Sequence, residues 1–506
     1  MANLGWFADL SLSGVHRPAR WTPHDSDSES SPTTDTPTPG PHSVQHDRFG
    51  SSLSAASASA LPLPLPLDTY TSSYTHSPDA SAAVRARLAA TISDLLAKQS
   101  FVLRLGKALY SYGCPTYRLE HFMRKCCVEL GIEAQFAYLP TMILVTFGDP
   151  ETHTSETHFL RCGAGYDVWR LAQVNQLATT IPKYSHDLPH LLSSLSLIVH
   201  APPLWPVWSK LLSHTVCSAL AAPLFFGGSW IDMGVCAALG ALVGVLCMAG
   251  ERWSRYGNLM EFSGALVVGL VAKIMERYVR GVCFLAMTMG GTVWLLPGLM
   301  ITVGVMEVAS RNLIIGSVRL FHAMLISVMI GYGLSIGSNI ASWAVGSIEP
   351  VPACQPVDSR FQLLMFLPVC LAFYILLEAH PRQFPIMAVV TAAGFLVTTF
   401  LPAEKFDTSA NNALAALVIG LGGNLYGRLT GDAAVAPMLA GILFLVPGGI
   451  SVRANMALLN DDIASGTRLV TMVLDVSIGI LVGLFSAHLL IYPIARRRKR
   501  FRVPGY

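Results

Sequence analysis

The sequence predicts a multi-pass α-helical membrane protein, with ten transmembrane helices forming two inverted five-helix repeats behind a small α+β cytoplasmic domain and a disordered N-terminal tail. Three observations carry this. Charged residues are 13% of the 506, against roughly a quarter in soluble proteins, and the shortage falls after about residue 205. That part of the chain divides into apolar stretches of about 20 residues, long enough to cross a bilayer. Two of the stretches also repeat: Ala286-Met-Thr-Met-Gly-Gly291-Thr-Val-Trp-Leu295-Leu-Pro297-Gly298 and Ala436-Pro-Met-Leu-Ala-Gly441-Ile-Leu-Phe-Leu445-Val-Pro447-Gly448. Each is followed at equal distance by a glycine, Gly316 or Gly466, and then by an Arg-Leu pair, Arg319-Leu320 or Arg468-Leu469.

Residues 1–81 are rich in Ser, Thr and Pro and carry too little apolar surface to offset the entropy of ordering, so a disordered tail is expected. The opening residues have no basic stretch leading into an apolar core, so no secretory signal is expected. Residues 82–190 read as a soluble α+β domain. Leu88, Ile92, Leu95, Leu96, Val102, Leu105 and Leu109 recur at helical spacing, Gly113 stops that helix, and Pro115 starts another that Gly131 closes. Residues 132–138, 142–147 and 154–161 follow as strands, and a helix over 166–181 is the last in the domain, followed by a polar link over 182–189 and a further segment over 190–206 before the first span.

Ten spans are expected near 208–227, 230–249, 258–276, 282–306 and 316–337, and near 361–378, 383–401, 409–427, 433–450 and 468–492. They give a first repeat over 205–340, a loop over 341–360 and a second repeat over 361–495. An odd number of helices per repeat forces the second half to enter the bilayer from the opposite side. The tail over 496–506, beginning Arg-Arg-Arg-Lys-Arg, is expected on the cytoplasmic side, which puts both termini there. Plasma membrane and vacuole are not distinguished.

Proline deletes one helical hydrogen bond and glycine loosens its neighbours, so Pro297-Gly298 and Pro447-Gly448 are expected to break their helices and act as hinge and site. Paired broken helices are the pattern of a secondary transporter. Ionisable groups are costly in apolar segments. Asp475, seven residues beyond Arg468, is expected to avoid lipid and to carry a proton or meet an amine. Glu261 falls where the other half has Asn411 and Asn412, and the four residues are the substrate- or proton-binding candidates. Arg319 and Arg468 are expected to anchor or gate. No residue is assigned a catalytic role, and no cofactor is called for. The ten cysteines form no Cys-x-x-Cys pair, so neither a metal site nor a disulfide framework is expected. A net charge of +3 is too small to suggest nucleic acid. The implied partners are a small-molecule substrate, protons and membrane lipid, with a homo-oligomer left open.

The stretch Ala108-Leu-Tyr-Ser-Tyr-Gly113-Cys-Pro115-Thr-Tyr-Arg118-Leu-Glu120 resembles the opening of the soluble domain in the threonine/serine exporter family. Leu130-Gly131-Ile132 and Phe147-Gly-Asp149 are also similar to that family, as are the two halves with their Pro-Gly segments, and the Ser/Pro-rich leader resembles its fungal pheromone-regulated membrane protein branch. The resemblance implies export of threonine- or serine-like amino acids by proton coupling. Dicarboxylates are exported by related two-component bacterial members and stay an alternative. Cys114 stands where the family often has Ala, which argues against an essential thiol. Two other classes stay open: a membrane-anchored signalling or scaffold protein without transport, and a membrane-tethered hydrolase.

Overall fold

The computed structural model describes residues 78–149, 154–163, 165–184, 187–346, 354–400, 408–431 and 434–492. The expectations for residues 1–77 and for the basic tail lie outside these.

The soluble part opens with α1 (Pro78–Ser111), whose residues up to Ala90 fall in a separate contact unit; all described residues from Thr91 onward form one compact unit. Gly113 takes φ +89° and turns the chain into α2 (Thr116–Leu130), which Gly131 closes in the left-handed conformation. Strands β1 (Ala134–Leu139), β2 (Met142–Asp149) and β3 (Thr154–Arg161) make one antiparallel sheet in the order β1-β2-β3, with Leu139 facing Met142 across a tight turn. Ile143, Val145 and Phe147 alternate along β2 toward a core that includes Phe101, Leu105 and Leu109 of α1, Leu119 and Met123 of α2 and Val174 of α3 (Val168–Tyr184). The polar link gives way at its end to a helix that fills most of the segment after it: α4 (Leu188–His200) is capped by Asp187 and buries Leu188, Leu191 and Leu195 in the same core. Its apolar residues recur at helical spacing in a stretch too short to stand out as a span.

The remainder is helical: α5 (Val207–Phe226), α6 (Trp230–Arg252), the short α7 (Ser254–Gly257), α8 (Met260–Tyr278), α9 (Phe284–Gly291), α10 (Gly298–Ala309), α11 (Leu313–Val345), α12 (Gln362–Leu376), α13 (Phe384–Phe400), α14 (Thr408–Thr430), α15 (Val435–Leu445), α16 (Gly448–Leu459) and α17 (Ile463–Ile491). Among the described residues, five segments are both long and apolar enough to cross a membrane: Trp230–Arg252, Leu313–Val345, Pro381–Phe400, Val435–Leu459 and Ile463–Ile491. The other expected spans miss that standard for visible reasons. α5 carries Lys210, Ser213 and His214, α12 has only 15 residues, α9 and α10 are two short pieces, α8 carries Glu261, Lys273, Glu276 and Arg277, and α14 opens with Thr408-Ser-Ala-Asn411-Asn412.

The sequence repeat has a counterpart in the fold. α10 and α16 both have 12 residues and both start at the glycine after the break. Two residues past the end of each comes a non-glycine residue held at positive φ, Arg311 (67°) and Asp461 (62°), before the next long helix begins. The long helices pack alike too. Gly333 and Gly337 bring α11 against the backbone of α8 at Phe262 and Leu266, and Gly479 and Gly483 bring α17 against α14 at Ser409 and Ala413.

One expectation is corrected by a covalent bond: Cys283 and Cys354 form a disulfide across 71 residues. Neither cysteine lies in a recognisable motif, so spacing could not reveal the pair. The bond ties the residue before α9 to the loop between the halves. The same region holds the hydrogen bond from Ser229 Oγ to the Gly281 carbonyl (3.3 Å) and the edge-on contact of Trp230 with Phe361.

Candidate functional site

The two breaks meet. α9 ends at Gly291 and α10 starts at Gly298; α15 ends at Leu445 and α16 starts at Gly448. A Cβ added to Gly298 would lie 2.6 Å from the backbone nitrogen of Gly448, and one added to Gly448 would lie 3.1 Å from that of Gly298. Only glycine allows this approach. Each break leaves helix-terminal N–H and C=O groups without intrahelical partners, so two positive and two negative helix ends gather here. The first break is the longer, with Leu295 N bonded to Thr292 O across it, whereas in the second Gly448 N reaches back to Val446 O.

A cavity of about 260 Å³ opens beside this contact. Phe225, Phe226, Trp294, Phe373 and Phe444 supply aromatic walls, Pro447, Gly448 and Gly449 the broken backbone, and Asn412 a polar side chain. Trp294 sits 6.2 Å from Phe373, and Phe444 lies edge-on to Phe225 and Phe373 at 5.4 and 5.7 Å. An aromatic enclosure of this kind suits a cation, and exposed helix N-termini suit a carboxylate.

The structure distributes the sequence candidates unevenly. Gly298, Pro447, Gly448 and Asn412 line the cavity, and Pro297 is the residue before α10. The neighbouring Asn411 has a buried Oδ1 without a hydrogen-bond partner. Glu261 is buried in the first turn of α8 and is absent from the cavity wall. Asp475, expected to avoid lipid, is instead exposed on α17 beside the exposed Leu474, because the helix turns its neighbour Val476 and not Asp475 toward the cavity.

Arg319 and Arg468 part company. Arg468 is exposed near the start of α17. Arg319 is drawn inward, its Nε 3.2 Å from Oε2 of the fully buried Glu307, an ion pair without hydrogen-bond alignment at that oxygen. The other oxygen of Glu307 accepts a 2.8 Å hydrogen bond from Thr116 Oγ1, at the start of α2 in the soluble domain. A second contact docks α3: Val168 N and Trp169 N donate to the carbonyls of Leu377 and Glu378, Trp169 stacks on His380 at 4.3 Å, and Trp205 Nε1 donates to Ala379 O. Lys210 and Glu378 pair beside it. Sequence reading missed this docking because Glu307 and Thr116 are 191 residues apart. It also missed the buried bonds Ser327–Ser451 (2.6 Å) and Asn455–Ser327 (2.8 Å), which tie α11 to α16 just past the second break. Serines and asparagines in apolar helices carry no pattern that announces such pairing.

In the soluble domain, burial pushes the thiols of Cys114 and Cys162 up to about 12, which leaves them poor nucleophiles at neutral pH. Among the described residues no group of His, Cys, Asp and Glu could hold a metal ion.

Two family descriptions match, and between them they cover most of the chain: "Putative threonine/serine exporter" over residues 100–341 and "Threonine/Serine exporter, ThrE" over residues 362–490. The chain belongs to the threonine/serine exporter family. Its relatives include proteins called pheromone-regulated membrane protein 10. That of Kluyveromyces lactis is 32% identical over 438 residues, 82% of this chain and 46% of its own length. That of Saccharomyces cerevisiae is 32% identical over 435 residues, 82% and 56% of the two chains, and that of Eremothecium gossypii 32% over 441 residues, 83% and 59%. The chain spans about half the length of these curated relatives. No solved structure matches it. The family match and the apolar helices make this an integral membrane protein.

Proposed function

We propose that the chain is a secondary exporter of small zwitterions of the threonine and serine type, driven by protons, with its binding site between the two facing breaks. The observation that carries this is the backbone contact of Gly298 with Gly448 beside an aromatic cavity. A cavity of about 260 Å³ lies just below the roughly 300–1,000 Å³ of drug-sized ligand sites, which suits a small metabolite. The amides at the starts of α10 and α16 would receive the carboxylate. The aromatic faces and the carbonyls ending α9 and α15 would receive the ammonium, and Asn412 would meet a side-chain hydroxyl. Glu261 and Asp475 are the candidates for proton coupling.

Alternating access then follows from ten spans in two inverted repeats, each broken helix counting as one span. Two features support that arrangement. One is the matched pairing of α8 with α11 and of α14 with α17. The other is the order of contacts along the chain. The soluble domain meets residues 307–319, 377–380 and 435, whereas the starts of α6 and α9 gather with residues 354–361 around the disulfide. Disulfides persist in oxidising compartments, so the disulfide end would face away from the cytosol and the soluble domain toward it.

The test is flux of labelled threonine and serine in proteoliposomes under an imposed pH gradient. Gradient-driven flux that Asp475→Asn abolishes, at unchanged membrane insertion, is expected. Flux indifferent to Asp475 removes that residue from the mechanism, and absence of flux for threonine, serine and dicarboxylates overturns the transport reading.

A further inference from the structure

A second cavity, of about 430 Å³, lies where the soluble domain meets α14, α15 and α17, away from the breaks. Arg118 and His121 of α2 and Asn175 of α3 line one side; Val435, at the start of α15, and His488 and Tyr492, at the end of α17, line the other.

Each polar side chain among them can donate a hydrogen bond. Among the described residues the Arg118 guanidinium has no carboxylate within ion-pair distance, and no Asp or Glu lines the cavity. The nearest acid in sequence, Glu120, is taken up by Arg124 at 2.7 Å. The Ala434 cap of α15 gives no side-chain hydrogen bond, so the amides of Val435 and Ala436 lack intrahelical partners beside the cavity, while Pro437, third in the helix, has none to offer. His488 stacks on Tyr492 with ring centres 4.9 Å apart, and Arg118 is close enough to act electrostatically on His488. An arginine beside two imidazoles in one cavity is a donor set suited to an anionic oxygen ligand.

The geometry points to an effector site for a phosphate group in this cavity, held by Arg118, His121, His488 and the N-terminus of α15. The site is independent of the transported substrate. Its ligand would bridge the soluble domain to the second broken helix, stabilising the docked arrangement. Free phosphate compounds and phosphorylated lipid headgroups share this chemistry, and both can reach a cavity at the membrane end of the helices.

The full chain is assayed in two arms, both with protein in detergent: equilibrium binding of radiolabelled inorganic phosphate, and equilibrium binding of a labelled short-chain phosphatidylinositol phosphate with short-chain phosphatidylcholine as control. Saturable binding in the first arm assigns a free phosphate compound, and saturable binding in the second alone assigns a headgroup. Arg118→Gln is expected to weaken binding about tenfold to a hundredfold, the effect of one charge-assisted contact, and His488→Gln a fewfold. Arg118→Lys, which keeps the charge and loses the fork, should fall between them. Arg104→Gln, exposed on α1 and outside the cavity, should bind as the parent does. No saturable binding in either arm, or equal binding by the Arg118→Gln and Arg104→Gln proteins, overturns the assignment.

Discussion

Glu307→Gln is expected to loosen the soluble domain from the membrane helices without unfolding either. Glu307 is fully buried and faces Arg319, whose side chain is 21% exposed. Removing one partner of a buried ion pair costs about 3–5 kcal/mol. Glutamine keeps the shape and an acceptor for Thr116 Oγ1, and Arg319 reaches some water, so the loss falls to about 2–3 kcal/mol. At about 1.4 kcal/mol per tenfold, that shifts the docked–undocked equilibrium by roughly 30- to 150-fold. Hydrogen exchange in α2 reads the shift: amides around Thr116 should exchange faster by that factor, while those of α8 and α14 keep their rates. Thr116→Val, which leaves the ion pair intact, should give a smaller effect of about 1–2 kcal/mol. Unchanged α2 exchange in Glu307→Gln would refute the claim that this pair holds the domain down.

Three further outcomes are expected. Gly298→Ala puts a Cβ 2.6 Å from the Gly448 nitrogen, and such overpacking costs about 1–3 kcal/mol, so substrate flux per inserted molecule should fall about tenfold. Burial pushes the Asp167 carboxyl up to about 6 from 3.8, against the pull of Arg170. The folded state then holds this proton more tightly than the unfolded chain. Its contribution is therefore greatest at low pH and is lost as pH rises through about 6, by at most about 3 kcal/mol, and the parent's pH-dependent fall in thermal midpoint should flatten in Asp167→Asn. Cys283→Ser opens a loop of 71 residues and should lower stability by about 4 kcal/mol; reductant should lower the midpoint of the parent and leave that of the variant unmoved.

The sequence carried those features whose signal is local or periodic. Gly113, Pro115 and Gly131 marked the helix boundaries of the soluble domain, and alternation along residues 142–147 marked its central strand. The Pro-Gly pairs were visible because they recur in matching surroundings. Hydropathy alone was a weaker guide to spans, since α8 and α14 carry the polar residues that face other helices and so resemble loops on any averaged scale. α4 escaped notice for the opposite reason, being apolar enough for a core yet too short for a membrane. Contacts between distant residues left no trace: Thr116 with Glu307, Cys283 with Cys354 and Ser327 with Ser451 each join segments that no spacing rule connects. Among the site candidates, repeat position was informative for Gly298 and Gly448, which touch. It was uninformative for Arg319 and Arg468, because only the first copy supplies a buried glutamate; the second has Ala457 at the corresponding place.

Substrate protection of a thiol at residue 412 tests the central claim most directly. The eight free cysteines among the described residues are all buried, so an Asn412→Cys protein in proteoliposomes should offer a methanethiosulfonate reagent one reactive site. The account predicts that this cysteine is labelled and that threonine or serine slows the labelling, because the substrate occupies the cavity between the breaks. Labelling at the same rate with and without every substrate tested would contradict it.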